Sequence, residues 1–507
     1  MFNAITIGLM MVLFKGAVYE RGSEGFDCRA YQYATTSYRD TGSMDPDYIV
    51  YAQNDNDVIS AVTLARQHRI AIAVRTGGHH YVNLGGHCQT GGYGASARSF
   101  GLLSDHIQKL RIVTAEKEQP EFRWIHRHSE SEEEQKLFYS VVGGSPGNFG
   151  VITHVTLKVH KDEDHSLSRG VRGRIPYCRE TLKQLLDLVL EMGDDEDFPA
   201  DYDVVITMTS ERPAQYADTP EEAKIIVWGQ WANLEGAGQV YDPTFFKKLI
   251  DIACGNDNDN SNNNNSMSPH ERVLLQDEEM VMSELNNHWI IPIVREFQLP
   301  YFKNVKASDL PSSELRARKY TEWVTERIDR IEANTQATEC YLVHQFAYSG
   351  GRHSRFAHNG DDGLTSFSWR DSSFIFVLDV FYNGEKPKVK AFAQEYQKET
   401  EQEALGEGVG KLSNQDRRLL WGSQDRNLHA ARRFYFDQAP AKYERLAANK
   451  ARFDPLNVFT PNKFSVQAPP GQEGAMMVAG LKRAAIRLWQ TIIDAPGKRR
   501  EEATTEL

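Results

Sequence analysis

Seven glycines fall within the eighteen residues 77–94 (GGHHYVNLGGHCQTGGYG), in a chain that holds 37 in its 507 residues. Glycine loses more freedom on folding than other residues, so this density marks backbone that must take unusual angles or approach something closely. The preceding residues sharpen the point. Residues 48–52 (YIVYA) have strand character, and residues 55–68 place Val58, Ile59, Val62, Leu64 and Ala65 at mostly helical spacing, with Asp55 or Asp57 as N-cap. Residues 70–74 (IAIAV) form a second strand that runs directly into RTGGHH. A strand–helix–strand unit ending in glycine puts the loop at the carboxyl edge of the strands, where open α/β sheets bind ligands. A second cluster, residues 143–150 (GGSPGNFG), leads into the strand-like residues 151–159 (VITHVTLKV).

Runs of glycine let neighbouring N–H groups turn toward an anion such as a pyrophosphate. Neither familiar form of that device is present. No GxGxxG opens a helix with an acidic residue about twenty positions on, and no glycine loop ends in GK[ST]. The stretch passes through Tyr81, Val82 and Leu84 into more glycine with no helical pattern.

Charge and composition remove other classes. A net charge of -12 argues against nucleic acid as the main partner and against a purely electrostatic membrane role. Cys28, Cys88, Cys178, Cys254 and Cys340 are scattered and form no CxxC pair, which excludes a zinc ribbon and a disulfide-dense scaffold. His79, His80, His87, His126 and His128 have no carboxylate or cysteine at metal-ligand spacing, so no metal is assigned. Residues 256–265 (NDNDNSNNNN) read as a polar loop; a calcium loop fails because Asn262 and Ser268 stand where glycine and glutamate are required. The apolar residues 5–14 are too short to span a bilayer, and their first basic neighbour, Lys15, follows them. They read as a buried element ahead of a secretion signal, an intracellular location is favoured, and no transmembrane segment is expected.

The residues Arg75-Thr76-Gly77-Gly78-His79 after IAIAV resemble the FAD-linked oxidases of the berberine bridge enzyme-like and vanillyl-alcohol oxidase type. GGHCQTGGYG with RSFGLLSDHI (residues 98–107), LFYSVVGGSPGNFGVITHVTLKV (137–159) and KYERLAANKARFDPLNVFTPNKF (442–464) match the same family in order. The resemblance implies an α+β chain: a PCMH-type FAD-binding domain of two small α/β subdomains, one of them truncated, and a substrate domain with an antiparallel sheet. It implies the boundaries 1–43 for an N-terminal segment, 44–162 for the FAD domain and 163–451 for the substrate domain. Residues 452–466 then return to the FAD domain, and 467–507 form a tail whose stripe Val478, Leu481, Ala485, Leu488, Trp489 and Ile492 predicts an amphipathic helix.

The resemblance also implies the site. FAD would be held by Arg75, Thr76, Gly77, Gly78, His79, His80, Tyr81, Gly91, Gly92, Gly94, Gly147, Gly150, Val151 and Asn462, with a covalent bond from His79 to the flavin. Tyr435 or Tyr443 would serve as catalytic base, with Tyr382 a weaker candidate. The partners would be a small alcohol, sugar or hydroxy acid and an electron acceptor, dioxygen or another. One departure stands out. In the family several tens of residues, forming strands, separate RxGGHxY from a second motif whose cysteine makes a further flavin bond. Here the two motifs fuse at His79, the intervening strands and the second anchor are missing, and unpaired strand edges are expected. Three readings follow: an active FAD-dependent oxidoreductase, a non-catalytic or FAD-impaired relative, and a nucleotide- or anion-binding module without redox chemistry.

Overall fold

Asn54 starts the first long helix, because its extended backbone and short side chain let it accept the N–H of Asp57 at 3.1 Å. The cap therefore falls one residue before the aspartates named from the sequence. Asp57 instead turns inward, where its carboxylate accepts the N–H groups of Lys15, Gly16 and Gln53 at 2.8–3.0 Å. The helix, Asp55–His68, ends at Arg69 in the left-handed conformation (φ 53°). These features come from a computed structural model, whose described residues are 14–30, 46–75, 84–143, 146–211, 222–255, 273–288, 301–317, 319–333, 339–383, 386–405, 436, 440–460, 465–469 and 485–490. The asparagine-rich residues 256–265 lie outside them.

That helix joins two strands of the first sheet, formed by β1 (Val18–Glu20), β2 (Tyr48–Ala52), β3 (Ala71–Arg75) and β14 (Ala485–Gln490) in the order β1-β2-β14-β3. Val58, Ala61, Val62 and Ala65 of the helix pack with Val50 and Ile72 of the sheet. β14 runs parallel to both neighbours, with Leu488 paired to Val50 on one side and Val74 on the other. Two expectations are corrected here. Residues 485–490 are a strand and not part of a helix, because a short apolar run does not separate the two by periodicity and strand edges offer it a ladder. The inner edges of β2 and β3, expected to be unpaired, are both occupied by β14.

The second sheet has the order β5-β4-β6, from β4 (Ile107–Val113), β5 (Phe122–His126) and β6 (Val151–Leu157), all antiparallel. Helix Glu132–Val141 lies on it, started by the Ser131 hydroxyl accepting the Glu134 N–H and by three glutamates at its positive end. Its Leu137, Phe138 and Val141 meet Leu110, Ile112 and Ile125. Helix Pro440–Phe453 adds Leu446, Ala447 and Phe453 to this same core, so contact with it begins before residue 452. The turn that follows sends Val458 and Phe459 into the core of the first sheet, where the Val458 carbonyl accepts the Ile72 N–H at 2.7 Å.

The third sheet holds seven strands in the order β10-β7-β9-β8-β12-β13-β11, every pair antiparallel. They are β7 (Arg169–Pro176), β8 (Tyr202–Thr209), β9 (Lys224–Trp231), β10 (Val273–Glu279), β11 (Tyr301–Ser308), β12 (Cys340–Tyr348) and β13 (Phe374–Tyr382). Side chains alternate between its faces. Tyr202, Val204, Ile206 and Met208 of β8 join Leu342, Phe346, Phe376 and Val380 in a core shared with helices Arg179–Asp194, Thr244–Cys254 and Tyr320–Ala333. The opposite, inner face carries Val305, Ala307, Ile375 and Val377 against Ala97 and Leu102 of the glycine-rich region. Mixed helices and antiparallel sheets make this the α+β chain that the sequence resemblance implies. Among the described residues no helix is long and apolar enough to cross a membrane.

Candidate active site

The glycine-rich segment reaches the inner face of the seven-stranded sheet through a folded hook. Residues Leu84–Gln89 form a short helix where no helical pattern was read, because tertiary contacts and not local propensity hold the two glycines in it. Gln89 then ties the two glycine clusters together: its carbonyl accepts the Gly143 N–H at 2.8 Å, and its side-chain oxygen accepts the Gly147 N–H at 2.9 Å.

Several glycines assigned to the cofactor are required for packing. A Cβ at Gly91 would lie 2.5 Å from the Phe367 ring, one at Gly92 2.7 Å from Leu103, and one at Gly150 2.3 Å from the Val113 carbonyl oxygen. Val151 is likewise buried in the first core, paired to Val113. Gly147 and Gly94 differ. Gly147 has φ +64°, and among the described residues its added Cβ would meet only Val74, at 3.9 Å, while at Gly94 no described residue lies within 4 Å. Val74 is the residue before the end of β3. Arg75, the last residue of β3, is buried and donates to the Arg29 carbonyl at 3.4 Å. Thr76, Gly77, Gly78, His79, His80, Tyr81, Asn462 and Tyr435 lie outside the described residues.

Past the hook, Arg98 and Ser99 plug into the seven-stranded sheet. Their N–H groups donate to Asp203 at 2.9 and 3.2 Å, and Gln230 donates to the other oxygen of the same carboxylate at 2.8 Å. The buried Arg98 guanidinium spends its donors on the carbonyls of Pro199, Tyr202 and Gly350 at 2.6–3.0 Å. Burial pushes the Asp203 carboxyl up to about 6, against the lowering effect of these donors.

The inner face carries a second buried carboxylate that the sequence reading did not single out. Asp379 of β13 pairs directly across the ladder with Lys303 of β11, its Oδ2 3.6 Å from the ammonium. Among the described residues its Oδ1 has no hydrogen-bond partner. Burial pushes this carboxyl up to about 6, opposed by the Lys303 charge. Tyr93, from the GGYG run, packs on the adjoining apolar cluster, and its hydroxyl is pushed well above its ordinary value by burial and then by Asp379. On the other side of Asp379, Phe381 stacks between Tyr301 and Tyr341 with centroids 5.0 and 4.6 Å away. A lone carboxylate inside the apolar run FIFVLDVFY was the available signal, since a charge is placed there only with a partner or a task.

The tyrosines lie elsewhere. Tyr443 accepts the Gln467 N–H at 3.3 Å, with its ring 5.2 Å from Phe436 in the core of the second unit. Tyr382 is buried on the helix-covered face, stacked on Phe302 at 5.2 Å, and so is on the opposite side of the sheet from Asp379. Cys88 is buried, and burial pushes its thiol up to about 11.

This architecture has known counterparts. The structure of Physcomitrella patens BBE-like 1 matches 91% of this chain and 100% of its own, with a TM-score of 0.63 at 14% identity. In sequence, the FAD-linked oxidoreductase malF of Malbranchea aurantiaca is 41% identical over 114 residues, 22% of this chain. Hexose oxidase of Chondrus crispus is 36% identical over 117 residues, again 22% of this chain. The chain has the fold of the berberine bridge enzyme-like structures, and short segments of it resemble FAD-linked oxidoreductases in sequence. No family model matches it. The matched segments span only 18% and 20% of those two curated relatives, so likeness of fold extends much further than likeness of sequence.

Proposed function

We propose that this chain is an FAD-dependent oxidoreductase that oxidises a small alcohol, sugar or hydroxy acid, with Asp379 as the proton acceptor. The observation that carries the reading is the meeting of the glycine hook with a buried carboxylate whose Oδ1 is free to accept. The residues present fit FAD: among the described residues nothing fills the space beside Gly94, and only Val74 of β3 lies near an added Cβ at Gly147, as a cofactor lying against backbone requires. Arg75, Gly94, Gly147 and residues 76–81 would hold it, with His79 as the covalent attachment. FAD supplies the acceptor for a hydride from the substrate carbon and passes the electron pair to dioxygen or another acceptor.

The chain's own part is binding and proton transfer. Asp379 takes the proton of the substrate hydroxyl at Oδ1 as the carbon–hydrogen bond is given up, and Lys303 holds the carboxylate in its charged form. Tyr93, kept protonated, is a donor able to orient the same hydroxyl. Tyr301, Phe381 and Tyr341 offer an aromatic wall on one side. Tyr443 we assign to packing of the C-terminal helix.

The fusion of the two motifs at His79 favours a second reading, a relative of this fold with impaired FAD binding. Absorbance of the purified protein decides between them. A flavin spectrum that survives acid precipitation, and becomes extractable in His79→Ala, supports the first reading. A colourless preparation that takes up no added FAD overturns it.

A further inference from the structure

The turn that carries Gly147 is clamped by an ammonium group from the far end of the fold. Lys450 and Asp454, one helical turn apart in Pro440–Phe453 and the turn after it, are both completely buried, with Nζ and Oδ2 2.7 Å apart. The Asp454 carboxylate also accepts the N–H groups of Val458 and Phe459, each at 2.8 Å. Lys450 has three donors and uses all of them: on Asp454, on the Phe459 carbonyl at 2.9 Å, and on the carbonyl of Asn148. Two of these partners belong to its own segment. The third is the residue after Gly147.

Asn148 is held by the C-terminal return a second time, since its Oδ1 accepts the Val466 N–H at 2.9 Å while its Nδ2 reaches the Pro146 carbonyl at 2.8 Å. On the other side, Gln89 holds the Gly147 N–H. Gly147 therefore sits between two clamps, with left-handed backbone and, among the described residues, only Val74 near its Cα face. With every donor committed, Lys450 has none left for a ligand. A buried charge with complete internal pairing can act on a site only through the groups it holds.

We propose that Lys450 is a positioning residue for the cofactor seat, fixing through the Asn148 carbonyl the backbone of residues 146–150 against which FAD would lie. The proposal rests on the FAD reading for its consequence but not for its geometry. Lys450→Met alone would strand a buried carboxylate, so the informative variant is Lys450→Met with Asp454→Asn, which removes both charges together.

Hydrogen exchange on the cofactor-free full chain tests the clamp. Amides of residues 147–150 should exchange at least about tenfold faster in the double variant, while those of β8 and β12 stay unchanged. Titration with FAD tests the consequence: the dissociation constant should rise about tenfold or more, with a shifted flavin absorption band. Lys450→Gln with Asp454→Asn keeps a donor and should recover part of both effects, and it replaces the first variant if that one fails to fold. Unchanged exchange at 147–150 in a folded variant overturns the proposal. Wild-type protein that binds no FAD overturns the functional reading instead, and leaves the exchange result to decide the clamp.

Discussion

Lys303 and Asp379 are directly opposed across the β11–β13 ladder, and the ammonium and carboxylate of these two buried residues are 3.6 Å apart. At that spacing Lys303 lowers the Asp379 carboxyl while burial raises it, and burial prevails, leaving it at about 6. Proton abstraction needs the ionised form. Turnover should therefore rise with pH through about 6 and level off above it. Asp379→Asn should lower kcat by about 10²–10⁴-fold with FAD still bound. Lys303→Met removes the lowering influence, so its profile should move to higher pH. A profile flat from pH 5 to 8 in the wild type would remove Asp379 from the mechanism.

The same group gives a stability prediction of definite sign. A carboxyl raised from an unfolded value of about 3.9 contributes stability that is complete below that pH and is lost as pH rises through its folded value. For Asp379 the window is pH 4 to 6, and the loss is at most about 3 kcal/mol by the two-unit shift. Urea denaturation of Asp379→Asn and wild type should therefore diverge as pH rises from 4 to 7, with the variant gaining.

Arg98 joins the hook to the seven-stranded sheet. Arg98→Met removes the donor from the carbonyls of Phe198, Pro199, Tyr202 and Gly350 and deprives Asp203 of a favourable charge. It should cost about 3–5 kcal/mol in urea denaturation, and adding Asp203→Asn should recover part of the loss. Full additivity of the two changes would show that the residues do not act together.

The glycines separate packing from ligand space. Gly143→Ala drives a Cβ to 2.3 Å from the Phe367 backbone nitrogen at φ +118°, and should destabilise the fold whether or not FAD is present. Gly94→Leu enters open space and should leave the melting temperature of the cofactor-free protein nearly unchanged while weakening FAD binding. Undiminished FAD affinity in Gly94→Leu would mean that the space is not the cofactor's.

Leu488→Pro tests β14, since proline removes a ladder hydrogen bond from a strand with neighbours on both sides. A loss of stability in urea denaturation is expected, together with faster amide exchange in β2 and β3. Protection unchanged at Val50 and Val74 would show that the strand is dispensable.

What was legible followed from locality. Helix Asp55–His68 and the strands on either side are specified by spacing and turn chemistry within a few residues, and the fold matches there closely. The α+β architecture was legible because four motifs keep their order along the chain. Asp379 was not, because its partner Lys303 lies on another strand and only sheet register brings them together. Gly91 and Gly143 invite a ligand reading from sequence, yet both make room for Phe367, a residue far along the chain. β14 was misread for the same reason, as its state is chosen by two strands distant from it.

The insertion of β14 between β2 and β3 has a consequence for how the protein is made. On the ribosome the two flanking strands emerge early, and the segment that joins them appears only after the whole seven-stranded domain. Until then both edges are open templates for pairing with other chains, the exposure that makes slow, non-local sheets prone to aggregate. The first sheet is accordingly the last part of the molecule to mature, and its nascent form should be the one that engages chaperones.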